Sequence, residues 1–196
     1  MTSWLRQLVA ALKVLLVATL VLGLAYPLVV LGIGRLMPAR ADGSLVRVGG
    51  TVVGSALIGQ PSGGDQWFQP RPSAAGDGYD PLASGGSNLG PNDPGLLATV
   101  EQRRQQVAAR EGVDPAAVPA DAVTASASGL DPDISPAYAR LQVARVARVR
   151  GLDPAVVRAL VDEHVEGRTL GVLGDPHVNV LQLNVALAAL PAAAAG

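Results

Sequence analysis

VLLVATLVLGLAYPLVVLGIG, residues 14–34, is a run of 21 residues without a charged side chain, closed by Lys13 and Arg35. A helix of that length is about 31 Å long, close to the roughly 30 Å hydrocarbon core of a bilayer. A cleaved signal peptide is the alternative, but its apolar region usually has only about 7–15 residues. The sequence therefore predicts a retained membrane anchor that spans about residues 12–34, within an N-terminal segment of residues 1–36.

The charges are distributed unevenly along the chain. Three of the 15 basic residues precede residue 36 and all 16 acidic residues follow residue 41, so residues 36–196 carry a net charge of −4. Basic residues flank the span on both sides, and the positive-inside rule therefore only leans towards a cytoplasmic N-terminus. Long domains are translocated largely regardless of their charge. We expect a single-pass protein of the plasma (inner) membrane with its C-terminal domain outside the cytoplasm.

Small residues recur at seven-residue intervals through the span. Ala11, Ala18, Ala25 and Gly32 form this small-residue stripe. Heptad spacing keeps them on one helix face, and small side chains allow a second helix to approach closely. Chance is the alternative, because glycine is frequent in membrane helices. We predict that the stripe faces a partner helix, and that Pro27, which lacks an N–H group, kinks the span.

The sequence that follows the membrane anchor predicts one extracytoplasmic α+β domain, residues 37–190, and a disordered tail, residues 191–196. Residues 45–58 are rich in Val, Leu, Ile and Thr around a Gly49-Gly50 pair, which is the turn signal of a hairpin. A Gly/Pro-rich loop then covers residues 59–95, and loops of that length are usually functional or packed. Capping residues followed by proline predict about four helices. These predicted helices cover residues 94–110, 136–150, 154–165 and 176–189.

The residue types argue against catalysis by this chain. It has no cysteine, and its one lysine, Lys13, borders the membrane, so it offers neither a thiolate site nor the lysine of a phosphate-binding loop. His164 and His177 lack the spacing of paired metal ligands, and no Gly-x-Ser-x-Gly motif is present. We predict no catalytic residue, metal site or bound cofactor, and a membrane-anchored hydrolase is the least favoured function. Arginines at 103–104 and 145–150 alternate with apolar residues in an acidic domain, which predicts solvated helix faces rather than nucleic-acid binding.

One loop carries a weak signal for an anion site. It consists of Ser84, Gly85, Gly86, Ser87 and Asn88. Consecutive glycines can turn their backbone amides inward and form an anion-binding nest, here for a nucleotide. The alternative is a turn-rich loop that packs on the domain or on a partner. In either case we expect positive φ angles at the two glycines.

Long ordered motifs, such as VTASASGLD at 123–131 and VNVLQLNVAL at 178–187, resemble the C-subunit family of the Kdp potassium-transporting P-type ATPase. Further motifs lie at residues 43–47, 54–60, 67–68, 71–74, 79–81, 83–89 and 134–136. The resemblance implies an accessory subunit of a high-affinity potassium import complex. Its partners would be a channel-like A subunit, an ATP-hydrolysing B subunit and a small F subunit, and these would handle potassium, magnesium and ATP.

The resemblance also implies two roles that conflict. The family is described as assembling and stabilising the complex, and as a catalytic chaperone that raises the ATP affinity of the B subunit. ATP binds a P-type pump on its cytoplasmic side, so an extracytoplasmic domain would act on it only by coupling through the membrane. The alternative is a regulatory subunit that contacts the nucleotide directly on the cytoplasmic side.

Overall fold

The structure is a computed structural model that describes residues 2–191. Its α+β content confirms the predicted fold class, with one apolar N-terminal helix followed by helices and small antiparallel sheets. The chain divides into two compact units, with the division between Ser44 and Leu45 rather than after residue 36. The predicted disordered tail lies outside the described residues, apart from Pro191.

The first unit is a long apolar helix followed by a short one. The long helix consists of α1 (Ser3–Leu20), a π-helical turn (Val21–Ala25) and α2 (Tyr26–Arg35), and the short α3 is Pro38–Ala41. Within the stretch from residue 3 to residue 35, an 18-residue window has a mean hydropathy of 2.6, and none of its residues is buried. Within residues 2–191 it is the one helix that is long and apolar enough, by length and composition, to cross a membrane.

The π-helical turn ends two residues before Pro27. The N–H group of Tyr26 donates to the carbonyl of Val21, five residues back, which widens the helical turn. Proline removes a donor and crowds the preceding turn, and π-helical turns are a known cause of helix irregularity. Such a turn accommodates one additional residue, so the helix face rotates by about 100° across it. The small-residue stripe is thereby divided between two faces, an N-terminal patch of Ala11 and Ala18 and a C-terminal patch that includes Gly32.

The second unit contains two small antiparallel sheets. The predicted hairpin is confirmed, with β1 (Leu45–Val48) paired to β2 (Thr51–Ser55), and both turn glycines have positive φ angles of 56° and 86°. The second strand ends at Ser55 rather than at residue 58. The second sheet pairs β3 (Asp133–Ile134) with β4 (Val178–Asn179), and the sequence analysis did not anticipate it.

The helices of the second unit begin largely where their caps predict. They are α4 (Pro94–Glu111), α5 (Pro136–Leu141), α6 (Val143–Arg150), α7 (Pro154–Glu163) and α8 (Val180–Ala189). Two predictions are wrong in detail. The helix predicted over 136–150 is interrupted at Gln142, whose side chain is buried and bonded to the long loop. The helix predicted from residue 176 begins at Val180, because Asn179 and not Asp175 caps it.

The long loop contributes to the core instead of lying on the surface. Phe68 is fully buried among side chains from α5 to α8. Its backbone is fixed by Asn184, whose Oδ1 accepts from the Phe68 N–H at 2.9 Å and whose Nδ2 donates to the Phe68 carbonyl at 3.0 Å. Satisfied backbone groups are what allows an irregular segment to be buried. The loop is therefore a packed part of the domain.

Candidate functional site

The candidate sites of the second unit lie among its described residues, 45–191. Among residues 2–191, no group of His, Cys, Asp or Glu side chains could hold a metal ion. His164 uses its Nδ1 atom in a 2.8 Å hydrogen bond with the Leu160 carbonyl of its own helix. Three features are relevant to association: the docked loop at residues 84–88, a buried arginine that fixes the long loop, and an exposed apolar hairpin.

The loop at residues 84–88 is docked on the segment that contains Ser128. The Gly85 N–H group donates to the Ser128 carbonyl at 2.8 Å, and the Ser84 hydroxyl donates to the same carbonyl at 2.9 Å. That amide is therefore already engaged within the domain and not free for an anion. The expected positive φ at Gly85 and Gly86 is wrong, because Asn88 has it instead, at 53°.

Close backbone packing explains the glycines at this junction. A Cβ atom on Gly86 would lie 3.1 Å from the Ala127 carbonyl oxygen. Gly129 is more constrained, because its φ is 66° and a Cβ atom there would lie 2.6 Å from the Gly85 oxygen. The Ser73 hydroxyl also donates to the Gly129 carbonyl at 2.6 Å. The loop and the segment around Gly129 are thus fitted to each other at backbone distance.

Arg145 fixes the first part of the long loop from inside the domain. Its Nε atom donates to both carboxylate oxygens of Glu111 at 2.9 and 3.0 Å, and the two side chains are 1% and 0% exposed. Its remaining nitrogens donate to the carbonyls of Asp65 and Trp67 and to Gln142 Oε1. Burial raises the pKa of Glu111, and the attraction of Arg145 opposes this shift. The sequence-based assignment of Arg145 to a solvated face is therefore wrong.

An exposed apolar hairpin covers residues 166–177, a feature that the sequence analysis missed. Glu166 and His177 exchange backbone hydrogen bonds of 2.8 and 3.0 Å at its base, and the Thr169 N–H donates to the Leu173 carbonyl at 2.9 Å near its end. Beyond them, Leu170 is 87% exposed and Val172 is 70% exposed. We call Leu170, Val172 and Leu173 the apolar tip. Its sequence signal is the run Leu-Gly-Val-Leu-Gly at residues 170–174, directly before Asp175-Pro176.

The apolar tip is held in an unusual backbone conformation. Leu170 has a φ of 54°, which is rare for a large side chain. Backbone strain of this kind persists where the surrounding structure enforces it, and it concentrates at functional positions. An ion pair between Arg168 and Asp175, 2.9 Å long, flanks the tip. The hairpin therefore exposes aliphatic side chains next to an ion pair whose two charges balance.

His177, at the base of this hairpin, lies between two carboxylates. Its Nε2 atom is 3.8 Å from an oxygen of Asp133 and 3.8 Å from an oxygen of Glu166. Burial raises the pKa of Asp133, while His177 lowers it. Asp133 also accepts a 3.1 Å hydrogen bond from Asn179. These contacts join the hairpin to the second sheet.

The comparisons with known proteins agree with this description. A family model described as K+-transporting ATPase, c chain, matches residues 8–189. A protein from Kineococcus radiotolerans named potassium-transporting ATPase KdpC subunit is 63% identical over 95% of each chain. A relative with the same name from Gemmatimonas aurantiaca is 55% identical over 88% of this chain and 87% of its own length. Another, from Variovorax paradoxus, is 57% identical over 87% of this chain and 90% of its own length.

Proposed function

The chain belongs to the KdpC family, the c chain of K+-transporting ATPases, and we propose that it assembles and stabilises a potassium-import complex at the membrane. A non-catalytic accessory role fits both the family and the described residues. One observation carries the proposal: the same chain contains a bilayer-length helix with no buried residue and a domain whose long loop is fixed by internal contacts. The described residues offer surface to partners, and no group of His, Asp or Glu side chains among residues 2–191 could hold a metal ion.

The partners that we propose are the channel-like A subunit, the ATP-hydrolysing B subunit and the small F subunit. The helix would pack against their membrane helices, since membrane helices associate through close packing of small residues. The apolar tip would contact a partner protein rather than lipid. Segments that lie in a membrane interface are typically amphipathic helices with a polar face rich in Lys and Arg, whereas this tip is the end of a hairpin and its neighbouring Arg168 is paired with Asp175. Potassium, magnesium and ATP would be handled by the partner subunits.

We further propose that the N-terminus is cytoplasmic and the second unit extracytoplasmic. The net charge of −4 on residues 36–196 and the length of that segment support this orientation. Any increase in the ATP affinity of the B subunit would then be allosteric coupling. A direct contact with the nucleotide through residues 84–88 is the alternative, and it requires the opposite orientation.

A reporter fusion tests the orientation. A reporter that is active only outside the cytoplasm, fused after Leu190, should be active, whereas a cytoplasm-only reporter at the same position should be silent. Protease added to sealed spheroplasts should also degrade the second unit. Activity of the cytoplasmic reporter and protection from protease would overturn the orientation and favour the nucleotide-contact alternative.

Substitutions in the small-residue stripe test the membrane contact. The π-helical turn separates the stripe into two faces, so each patch is enlarged separately, with Ala11→Leu plus Ala18→Ile, or with Gly32→Leu. Both variants keep the span apolar and should insert normally. Recovery of partner subunits on the affinity-tagged chain should fall for at least one patch, while the control Val17→Leu should be tolerated. Wild-type recovery with both variants would show that the stripe is compositional chance.

A further inference from the structure

A cleft of about 490 Å³ lies between α4 and the proline-rich part of the long loop. One wall is the face of α4 that carries Arg103, Gln106 and Arg110, at spacings that place them on one side of a helix. The opposite wall includes prolines 61, 70 and 72, which have no N–H groups to offer. Tyr138 also lines the cleft. The volume lies within the range of about 300–1,000 Å³ that is usual for ligand sites.

The Tyr138 hydroxyl is the second, independent sign of a ligand. The residue is only 3% exposed, yet its hydroxyl has no hydrogen-bonding partner among residues 2–191. In contrast, the hydroxyl of Tyr79, which also lines the cleft, donates to the Arg71 carbonyl at 2.5 Å. Among residues 2–191, the Tyr138 hydroxyl is not one of the fully buried side-chain atoms that lack a partner, so it opens onto the cleft, where water or a ligand can accept its hydrogen bond. Burial raises the pKa of Tyr138, so its hydroxyl stays protonated and can donate to an acceptor that enters the cleft.

The charge of the cleft favours an anionic acceptor. Arg103 uses one terminal nitrogen on the Val123 carbonyl at 3.2 Å, which leaves its other donors without partners among the described residues. Arg110 forms an ion pair with Asp65, whose carboxylate oxygen is 3.3 Å from its Nε atom. No carboxylate-bearing residue lines the cleft itself. The cleft therefore offers the free donors of Arg103, the ion-paired guanidinium group of Arg110 and a hydroxyl, and no carboxylate lies in its lining.

We propose that this cleft binds the side-chain carboxylates of an extended acidic peptide segment from another protein chain. Guanidinium groups bind carboxylates through paired, charge-assisted hydrogen bonds. Residues 103 and 110 are about 10 Å apart along the helix axis, which matches about three residues of extended peptide. The side-chain amide of Gln106 can donate to and accept from a peptide group, and the proline rings provide an apolar wall. The proposed assembly role enters this proposal at one point only, namely that the acidic segment belongs to a partner subunit of the complex.

The test uses the full chain in detergent micelles and isothermal titration calorimetry. The probes are acetyl-Ala-Glu-Ala-Ala-Glu-Ala-amide, whose glutamates are three residues apart, the same peptide with glutamine in place of glutamate, glutarate, and inorganic phosphate. The acidic peptide should bind at least tenfold more tightly than its glutamine twin. Tyr138→Phe should weaken binding about threefold to tenfold, as expected for one hydrogen bond, without lowering the unfolding temperature. Arg103→Gln should weaken binding further, and the exposed Arg148→Gln on α6 is the charge-matched control.

Three results would overturn the proposal. Equal affinity for the acidic peptide and its glutamine twin would exclude carboxylate recognition. Glutarate or phosphate binding as tightly as the peptide would assign the cleft to a free anion instead of a peptide segment. Unchanged peptide affinity in both Tyr138→Phe and Arg103→Gln would place the binding elsewhere. Wild-type copurification of the partner subunits with either variant would leave the assembly role intact, so the two proposals fail separately.

Discussion

Replacing Arg145 by methionine should be among the most destabilising single changes in the second unit. The substitution removes the partner of Glu111, whose side chain is 0% exposed, together with the donors to the Asp65 and Trp67 carbonyls. Breaking a buried ion pair from one side costs about 3–5 kcal/mol, because a buried charge is left uncompensated. For a domain of about 150 residues this corresponds to a fall of roughly 10 °C in the unfolding temperature. Thermal and urea unfolding of the full chain, followed by circular dichroism, measure it.

Matched variants separate the orphaned carboxylate from lost packing. Adding Glu111→Leu to Arg145→Met should recover about 2 kcal/mol or more, since apolar replacements of buried ion pairs are tolerated. The exposed control Arg148→Met should change stability by less than about 0.5 kcal/mol. Without Arg145, the pKa of Glu111 should rise further, so its ionised form destabilises the variant at neutral pH and this penalty disappears as the pH falls. If the free energy of unfolding of Arg145→Met lay within about 1 kcal/mol of the wild-type value, this reasoning would be refuted. A loss of stability that does not depend on pH would refute it as well.

Three further outcomes are expected. Leu170→Gly should leave the free energy of unfolding unchanged or raise it by about 1 kcal/mol, because glycine adopts a positive φ without strain. The same variant should lower the recovery of partner subunits, and wild-type recovery would exclude the apolar tip from the interface. Burial raises the pKa of Asp133, so its ionised form destabilises the fold. The stability of Asp133→Asn relative to wild type should therefore grow between about pH 4 and pH 7. Thermal unfolding at a series of pH values measures this, and a difference between the two proteins that stays constant with pH would contradict it. Gly129→Ala should cost more than Gly151→Ala, which has a similar φ of 65° but open space around it, and equal urea midpoints would argue against the backbone contact with Gly85.

Local signals in the sequence predicted the elements that depend on local physics. Asp93, Ser135 and Asp153 each accept a hydrogen bond from a backbone N–H in the first turn of the helix that they precede. In each case proline follows at the first helical position, where its missing donor costs nothing. The Gly49-Gly50 turn is equally local, because only the conformation of two residues decides it. These features need no knowledge of the remaining chain.

Features that depend on distant partners were not predictable in this way. The strand β3 pairs with β4 over a separation of more than 40 residues, and each strand is only two residues long. Asp175-Pro176 has the form of a cap signal, but pairing of His177 with Glu166 places it in a hairpin. Arg145 has a helical spacing that fits a solvated face, and only the approach of Glu111 from α4 explains its burial. Each error follows from a tertiary contact that overrides a valid local preference.

The candidate sites follow the same division. The loop at residues 84–88 was identified from its glycines, but its docking on Ser128 depends on a segment 40 residues away. The apolar tip required knowledge that the hairpin protrudes, and the cleft required the approach of the long loop to α4. Composition indicated only that the domain has few groups for chemistry. The surfaces available for association are properties of the tertiary structure.

A membrane anchor changes how strong these surface contacts need to be. Residues 36–44 are the short connection between the apolar helix and β1, so a partner held by the helix is also held near the second unit. Short connections give effective concentrations of the order of millimolar, and a contact with a millimolar dissociation constant is then about half-occupied. The proposed contacts, through three aliphatic side chains at the apolar tip or through the arginines and the tyrosine of the cleft, would need only that strength. Weak contacts of this kind add to the affinity of the helix without any reactive group, which is the physical basis on which a non-catalytic subunit can hold a membrane complex together.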